Sequence, residues 1–61
     1  MTINERLQQE FEMSAEHVEN TVALLDEGAT VPFIARYRKD HTGNMDDQAV
    51  RSFADRLTAL R

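Results

Sequence analysis

Apolar residues return every three or four positions through three stretches of this sequence, Ile3-Leu7-Phe11, Val18-Val22-Leu25 and Val50-Phe53-Leu57-Leu60. Each series places a stripe on one side of an α-helix, so the spacing predicts an all-α fold. At 61 residues the chain has room for one small domain, which buries only roughly 60% of its extended surface. It contains no cysteine, so neither a disulfide framework nor a thiolate metal site can stabilise it, and packing alone must hold it. The composition, 41% hydrophobic and 30% charged with two glycines and one proline, is that of a folding chain rather than a disordered one. The longest apolar run, Val31 to Ala35, includes Pro32 and falls far short of the roughly 18 residues of a membrane span. The opening Met1-Thr2-Ile3-Asn4-Glu5-Arg6 lacks the apolar core of a secretory signal, and a cytoplasmic location with no membrane contact is expected.

Start signals divide the chain into about four short helices. Thr2 with Glu5 three residues on is a capping-box pattern for the first, whose end at Glu12-Met13 offers neither Gly nor Asn. Ser14 opens the second, with Glu16 in the first turn, a buried stripe of Ala15, Val18, Val22 and Leu25, and Gly28 as closing residue. Leu24 lies about 120° off that stripe and needs a contact elsewhere. The turn Gly28-Ala29-Thr30 is short enough to predict that the second and third helices are neighbours. Thr30 caps the third helix, Pro32 sits in its first turn, and Phe33, Ile34 and Tyr37 share a side read as core. After the turn cluster Asp40 to Asn44, Asp46 caps the fourth helix and Met45 packs on Val50 as a hydrophobic staple. That helix runs to Arg61 without a stop signal, from which a fragment of a larger chain is expected.

The net charge of −4 conceals an asymmetry. Residues 1–27 hold seven acids against Arg6, a balance of −6, whereas residues 28–61 hold six bases against four acids, a balance of +2. Such a chain either turns its basic end towards a polyanion or pairs its two parts with each other. Motifs for chemistry are few. Asp40, Thr42, Asn44 and Asp46 alternate like calcium-loop ligands, but Met45 and Arg51 stand where that loop needs Gly and Glu. Two histidines on separate elements make no zinc set, and isolated glycines make no phosphate loop. Ser14 and Thr30 are explained as caps and Ser52 as a solvent-facing helix residue, so no enzyme and no cofactor is expected.

One constellation remains, Arg36-Tyr37-Arg38-Lys39 with His41 beyond. Arg36, Arg38 and Lys39 suit phosphate oxygens, and an interleaved aromatic can stack on an unpaired base. A structural reading stands beside it: Tyr37 in the core, Arg36 paired with Asp40, and cations favoured by the dipole at a helix C-terminus. The second helix, turn and third helix also form a helix-turn-helix-like element. Its reading helix would open on Val31-Pro32-Phe33, which cannot contact base edges bidentately, so any binding is nonspecific.

The stretch Leu24-Leu25-Asp26-Glu27-Gly28-Ala29-Thr30-Val31-Pro32-Phe33-Ile34-Ala35-Arg36-Tyr37-Arg38-Lys39, followed by Thr42-Gly43 and Asp46-Asp47, closely resembles the N-terminal domain of the bacterial Tex family of transcription accessory proteins. The similarity runs over essentially the whole chain. It departs at Glu12, where the family tends to a small or turn-prone residue, at Asp40-His41, and at Asn44-Met45, where Gly-Leu is common. The resemblance implies an N-terminal helical domain, residues 1–61, of a much larger cytoplasmic protein with an RNase H-like domain, helix-hairpin-helix elements and a C-terminal OB-fold that binds RNA. Two expectations follow for this segment. It docks on the remaining domains of a chain that binds RNA as a whole, with Arg36, Arg38 and Lys39 its candidate phosphate contacts, or it is a stand-alone interaction or scaffold module without nucleic-acid contact.

Overall fold

The computed structural model describes all of residues 1–61. Five helices follow one another with no strand: α1 (Ile3–Phe11), α2 (Ala15–Asp26), α3 (Val31–Tyr37), α4 (Lys39–Thr42) and α5 (Asp47–Leu60). The four longer ones start where short polar side chains can satisfy their free N–H groups. The Thr2 hydroxyl accepts from the Glu5 N–H at 3.1 Å while the Glu5 carboxylate accepts from the Thr2 N–H at 2.9 Å, the reciprocal box expected from the spacing. Ser14 accepts from His17 N–H at 3.2 Å, Thr30 from Phe33 N–H at 3.3 Å and Asp46 from Ala49 N–H at 2.8 Å.

The helix ends were less legible. Glu12 closes α1 in the left-handed region, φ 53° and ψ 44°, and both its N–H and that of Met13 converge on the Gln8 carbonyl. Only Glu12, Met13 and Ser14 separate α1 from α2, so the chain must reverse at once, and a left-handed residue is the local way to do it. An L side chain there costs about 1–2 kcal/mol. Glu12→Gly is therefore expected to stabilise the domain by about 1 kcal/mol, a rise of roughly 4–8 °C in a thermal melt. An unchanged or lower Tm would show that the reversal carries no strain.

The fourth helix of the sequence reading proves to be the fifth. Between α3 and α5 the expected loop folds into the one-turn helix α4. Thr42 stabilises it from inside: its buried hydroxyl donates to the Lys39 carbonyl at 3.3 Å and accepts from the Met45 N–H at 3.4 Å. From α2, the Asn20 side-chain amide donates to the His41 carbonyl at 3.3 Å. Thus α2 packs on α1 and α4, while α3 packs on α5 and α4. α2 and α3, expected as neighbours across their short turn, line one depression through Leu24 and Phe33, but each packs chiefly on other helices, and α4 contacts both.

The core consists of Leu7, Val18, Ile34, Ala35, Met45, Val50, Phe53 and Leu57. Met45 and Val50 are both buried in it, in keeping with the staple. Phe53 is fully buried, its ring 5.3 Å from that of Phe11 and tilted by 50°, which ties α5 to α1. Ala15, expected in the stripe of α2, is exposed. Thr21 is fully buried instead, its hydroxyl donating at 2.8 Å to the His17 carbonyl one turn back, so the polar atom enters the interior already satisfied.

The division of charge is used within the fold. Arg56 of α5 forks onto Glu10 of α1 at 2.7 and 3.0 Å, and Arg61 onto Asp26 of α2 at 2.8 and 2.9 Å. The basic end of the chain thereby clasps the acidic one. Hydrogen bonding from Arg56 holds the Glu10 carboxyl below its ordinary range, and Arg61 does the same for Asp26. Carboxyls lowered in the folded state contribute stability at neutral pH and lose it as pH falls through their lowered values. The Tm is expected to fall between neutral pH and about pH 3, and less so for the Glu10→Gln/Asp26→Asn double variant. Parallel pH profiles for the two proteins would show that these pairs contribute nothing.

Candidate nucleic-acid interface

The cationic cluster sits where α3 gives way to α4. Thr30 and Pro32 start α3, and seven residues later Arg38 leaves helical geometry at φ −130° and ψ 31°. The Arg38 side chain folds back at once. Its Nη1 donates to the Tyr37 carbonyl at 3.0 Å, and the guanidinium carbon lies 5.0 Å from the centroid of the Phe33 ring. That contact is a cation–π interaction on the aromatic face, held in place by a hydrogen bond to the end of the same helix. Phe33 and Tyr37, one turn apart, stand 5.5 Å between centroids with their planes tilted by 43°.

Tyr37 is not a core residue. Its exposure is 63% and that of Phe33 is 38%, because Ile34 and Ala35 point α3 into the core and leave the two aromatics on the outer side. Here the sequence reading is corrected. Spacings of three and four fit two overlapping stripes on so short a helix, and only the packing against α5 selects between them.

The three cations do not share one surface. Arg36 and Lys39 line a shallow groove with Pro32, Ala35, Asp46 and Asp47, so carboxylates stand in the groove beside them. Arg38 lines a second depression together with Leu24, Gly28 and Phe33. Leu24, which needed a partner off its stripe, packs at the core's edge and lines this depression. None of Arg36, Arg38 or Lys39 has a carboxylate within 4.0 Å. The expected Arg36–Asp40 pair does not form: the helix breaks at Arg38, between the two residues, and the one-turn spacing is lost. Asp40 contacts His41 instead, at 3.2 Å. Nor do Arg36 and Arg38 reach the acids of residues 1–27, whose cross-chain partners are Arg56 and Arg61.

Sequence reasoning missed Arg51 of α5. It is exposed and has no carboxylate within 4.0 Å, although Asp47 and Asp55 flank it at one-turn spacing. Asp47 is engaged elsewhere, accepting from the Gln48 N–H at 3.0 Å. No spacing rule could have separated this cation from a paired one.

Comparison with known proteins places the chain. The family model described as the Tex-like protein N-terminal domain matches residues 1–61. The chain belongs to that family. Among relatives of the Tex-like domain, the transcriptional accessory protein Tex of Neisseria gonorrhoeae is 49% identical over 61 residues, all of this chain and 8% of the relative. Protein tex of Bordetella pertussis is 54% identical over 56 residues, 92% of this chain and 7% of the relative. A protein of Pongo abelii named S1 RNA-binding domain-containing protein 1 is 40% identical over 42 residues, 69% of this chain and 4% of the relative. The Tex-like domain thus spans less than a tenth of the length of these relatives. No solved structure matches it. No helix in it is long and apolar enough to cross a membrane.

Proposed function

We propose that this domain is the N-terminal helical module of a cytoplasmic transcription accessory protein that binds RNA as the intact chain, with Arg36, Arg38 and Lys39 giving sequence-independent contacts to phosphate. One observation carries the reading: Arg36, Arg38 and Lys39 lack carboxylate partners, whereas Arg56 and Arg61 are each paired with an acid. A cationic group with no carboxylate beside it is available to an external anion. The name of the Pongo abelii relative, which says that it contains an RNA-binding domain, supports the choice of RNA. The helix-turn-helix-like segment contributes no base readout, since α3 opens on Val31, Pro32 and Phe33. The role is one of binding, without a catalytic step or cofactor, and the two shallow grooves offer caps, cations and apolar surface for it.

In the full-length protein, replacing Arg36, Arg38 and Lys39 together with alanine is expected to weaken RNA binding and to flatten the slope of log affinity against log salt by about 2–3. A second reading is that the module docks on the remaining domains of its own chain. The open depression around Leu24 and Phe33, together with the much greater length of the relatives, favours it. Under that reading the triple replacement lowers the Tm of the full-length protein and leaves RNA affinity and its salt slope unchanged, the result that would exclude phosphate contact. A module that neither docks nor touches nucleic acid predicts no change in either measurement.

A further inference from the structure

We infer that the depression between the end of α2 and the outer side of α3 is the face on which two copies of this chain pair about a two-fold axis, Arg38 of each copy meeting Glu27 of the other. This goes beyond the RNA reading, and it gives the depression an occupant other than the remaining domains of the same chain.

The depression is apolar in its middle and carries one charge of each sign. Leu24, Ala29 and Phe33 line it together with Glu27 and Arg38. Phe33 is one of three large apolar side chains that the domain leaves exposed, and Tyr37, 5.5 Å from it between ring centroids, is another. Apolar side chains gathered on one face and rimmed by charge mark a surface made for contact with protein. Glu27 closes α2 and is exposed, while Arg38 closes α3. The acid thus belongs to the turn before α3 and the base to the far end of that helix. Both line one depression, yet neither has an opposite charge within 4.0 Å, so they do not meet each other.

A second copy supplies what each of them lacks. An isologous interface brings the same patch of two subunits together, so every contact across it is made twice. A patch with an unpaired acid towards one side, an unpaired base towards the other and apolar surface between them is complementary to its own rotated image. An unrelated segment would have to bring a base, an apolar side chain and an acid in the right order, whereas symmetry brings all three. Arg38 is already placed for the task. Its guanidinium carbon lies 5.0 Å from the centroid of the Phe33 ring and its Nη1 donates to the Tyr37 carbonyl, while its other N–H groups find no acceptor in the chain. A planar fork held in this way loses less freedom when it takes a carboxylate. Exposed ion pairs add little affinity, so burial of Leu24 and Phe33 drives the association and the two pairs set its register. A stable dimer takes roughly 800 Å² from each partner, about a fifth of the 4083 Å² of this domain. The depression is smaller than that, so the pairing is transient and depends on concentration.

The test is the mass of the full-length protein, freed of nucleic acid, in sedimentation velocity runs across the micromolar range. The wild type is expected to move from monomer towards dimer as concentration rises. Glu27→Arg and Arg38→Glu each set like charges against each other in both pairs, and each is expected to raise the dimer Kd at least about ten-fold. An equimolar mixture of the two variants restores opposite charges in both pairs, and is expected to dimerise as the wild type does. Circular dichroism checks that each variant keeps its helices, and Glu27→Arg, which lies outside the Arg38–Phe33 contact, carries the test alone if Arg38→Glu loosens α3. A wild type that stays monomeric throughout, as docking of the depression on the same chain requires, would overturn the inference. So would a dimer that Glu27→Arg leaves undiminished, or folded variants that fail to rescue each other on mixing. The phosphate reading fails separately. With Arg38 at the two-fold interface it rests on Arg36 and Lys39 in the other groove, and replacing those two with alanine is expected to weaken RNA binding while the dimer persists. An intact dimer with unaltered RNA affinity in that variant would leave the pairing standing and remove the phosphate contacts.

Discussion

Phe53→Ala is expected to remove most of the stability of the 61-residue domain. Phe53 is fully buried, packs against Phe11 and joins α5 to α1 in a core of eight residues. Truncating such a side chain to alanine costs about 3–5 kcal/mol, through lost transfer energy and the cavity left behind. Against that stands a total stability of about 3–9 kcal/mol for a chain of this length. At the middle of both ranges the mutation removes about two thirds of it, and no disulfide supplements the packing. Urea titration followed by far-UV circular dichroism measures the loss. Phe53→Leu keeps most of the volume and is expected to cost less than about 1.5 kcal/mol, retaining a cooperative transition. A Phe53→Ala protein that melts within a few degrees of wild type would show that the core described here does not hold the domain together.

The second large effect is expected at the tight approach of α4's end to α2. Gly43 closes α4 at φ 80°, and a Cβ built there would lie 2.8 Å from His17 Nδ1 and 3.1 Å from its Cε1. Gly43→Ala thus meets two separate penalties. The left-handed backbone costs an L-residue about 1 kcal/mol or more, and the imidazole must also move. Gly28 offers an internal control, since it too has a positive φ, 89°, but nothing lies within 4 Å of its missing Cβ. Gly28→Ala should therefore show the backbone share alone, about 1 kcal/mol, and Gly43→Ala about twice that. Removing the ring with His17→Ala should bring Gly43→Ala back to the Gly28→Ala value, a coupling of more than about 0.5 kcal/mol in a double-mutant cycle. Additive effects in that cycle would mean that the close approach carries no energy.

The candidate site was only half readable from the sequence. Arg36, Arg38 and Lys39 stand out as a cationic run in any one-dimensional reading, and the structure leaves them without acidic partners. The aromatic among them was misjudged. Tyr37 repeats Phe33 at one helical turn, the spacing of a buried stripe, yet Ile34 and Ala35 are the residues that α3 turns inward. Periodicity reports that a stripe exists but cannot choose between two that overlap on a seven-residue helix. The separation of Arg38 from Arg36 and Lys39 into different grooves was equally hidden, since it follows from the single non-helical residue at which α3 ends.

What the sequence determined by itself was whatever a residue settles with neighbours three or four positions away: the capped starts at Thr2, Ser14, Thr30 and Asp46, and the stripe of α5. These interactions close within one turn, so their energy is the same whichever way the rest of the chain runs. Tertiary structure decided the left-handed reversal at Glu12, the burial of Thr21 and Thr42, and the long-range pairs Glu10–Arg56 and Asp26–Arg61. Each depends on a surface brought in from elsewhere in the chain. The reversal is set by where α2 must lie, burial by what covers a side chain, and an ion pair by which of several equivalent charges comes within reach. None of those distances is written in the spacing of residues along the chain.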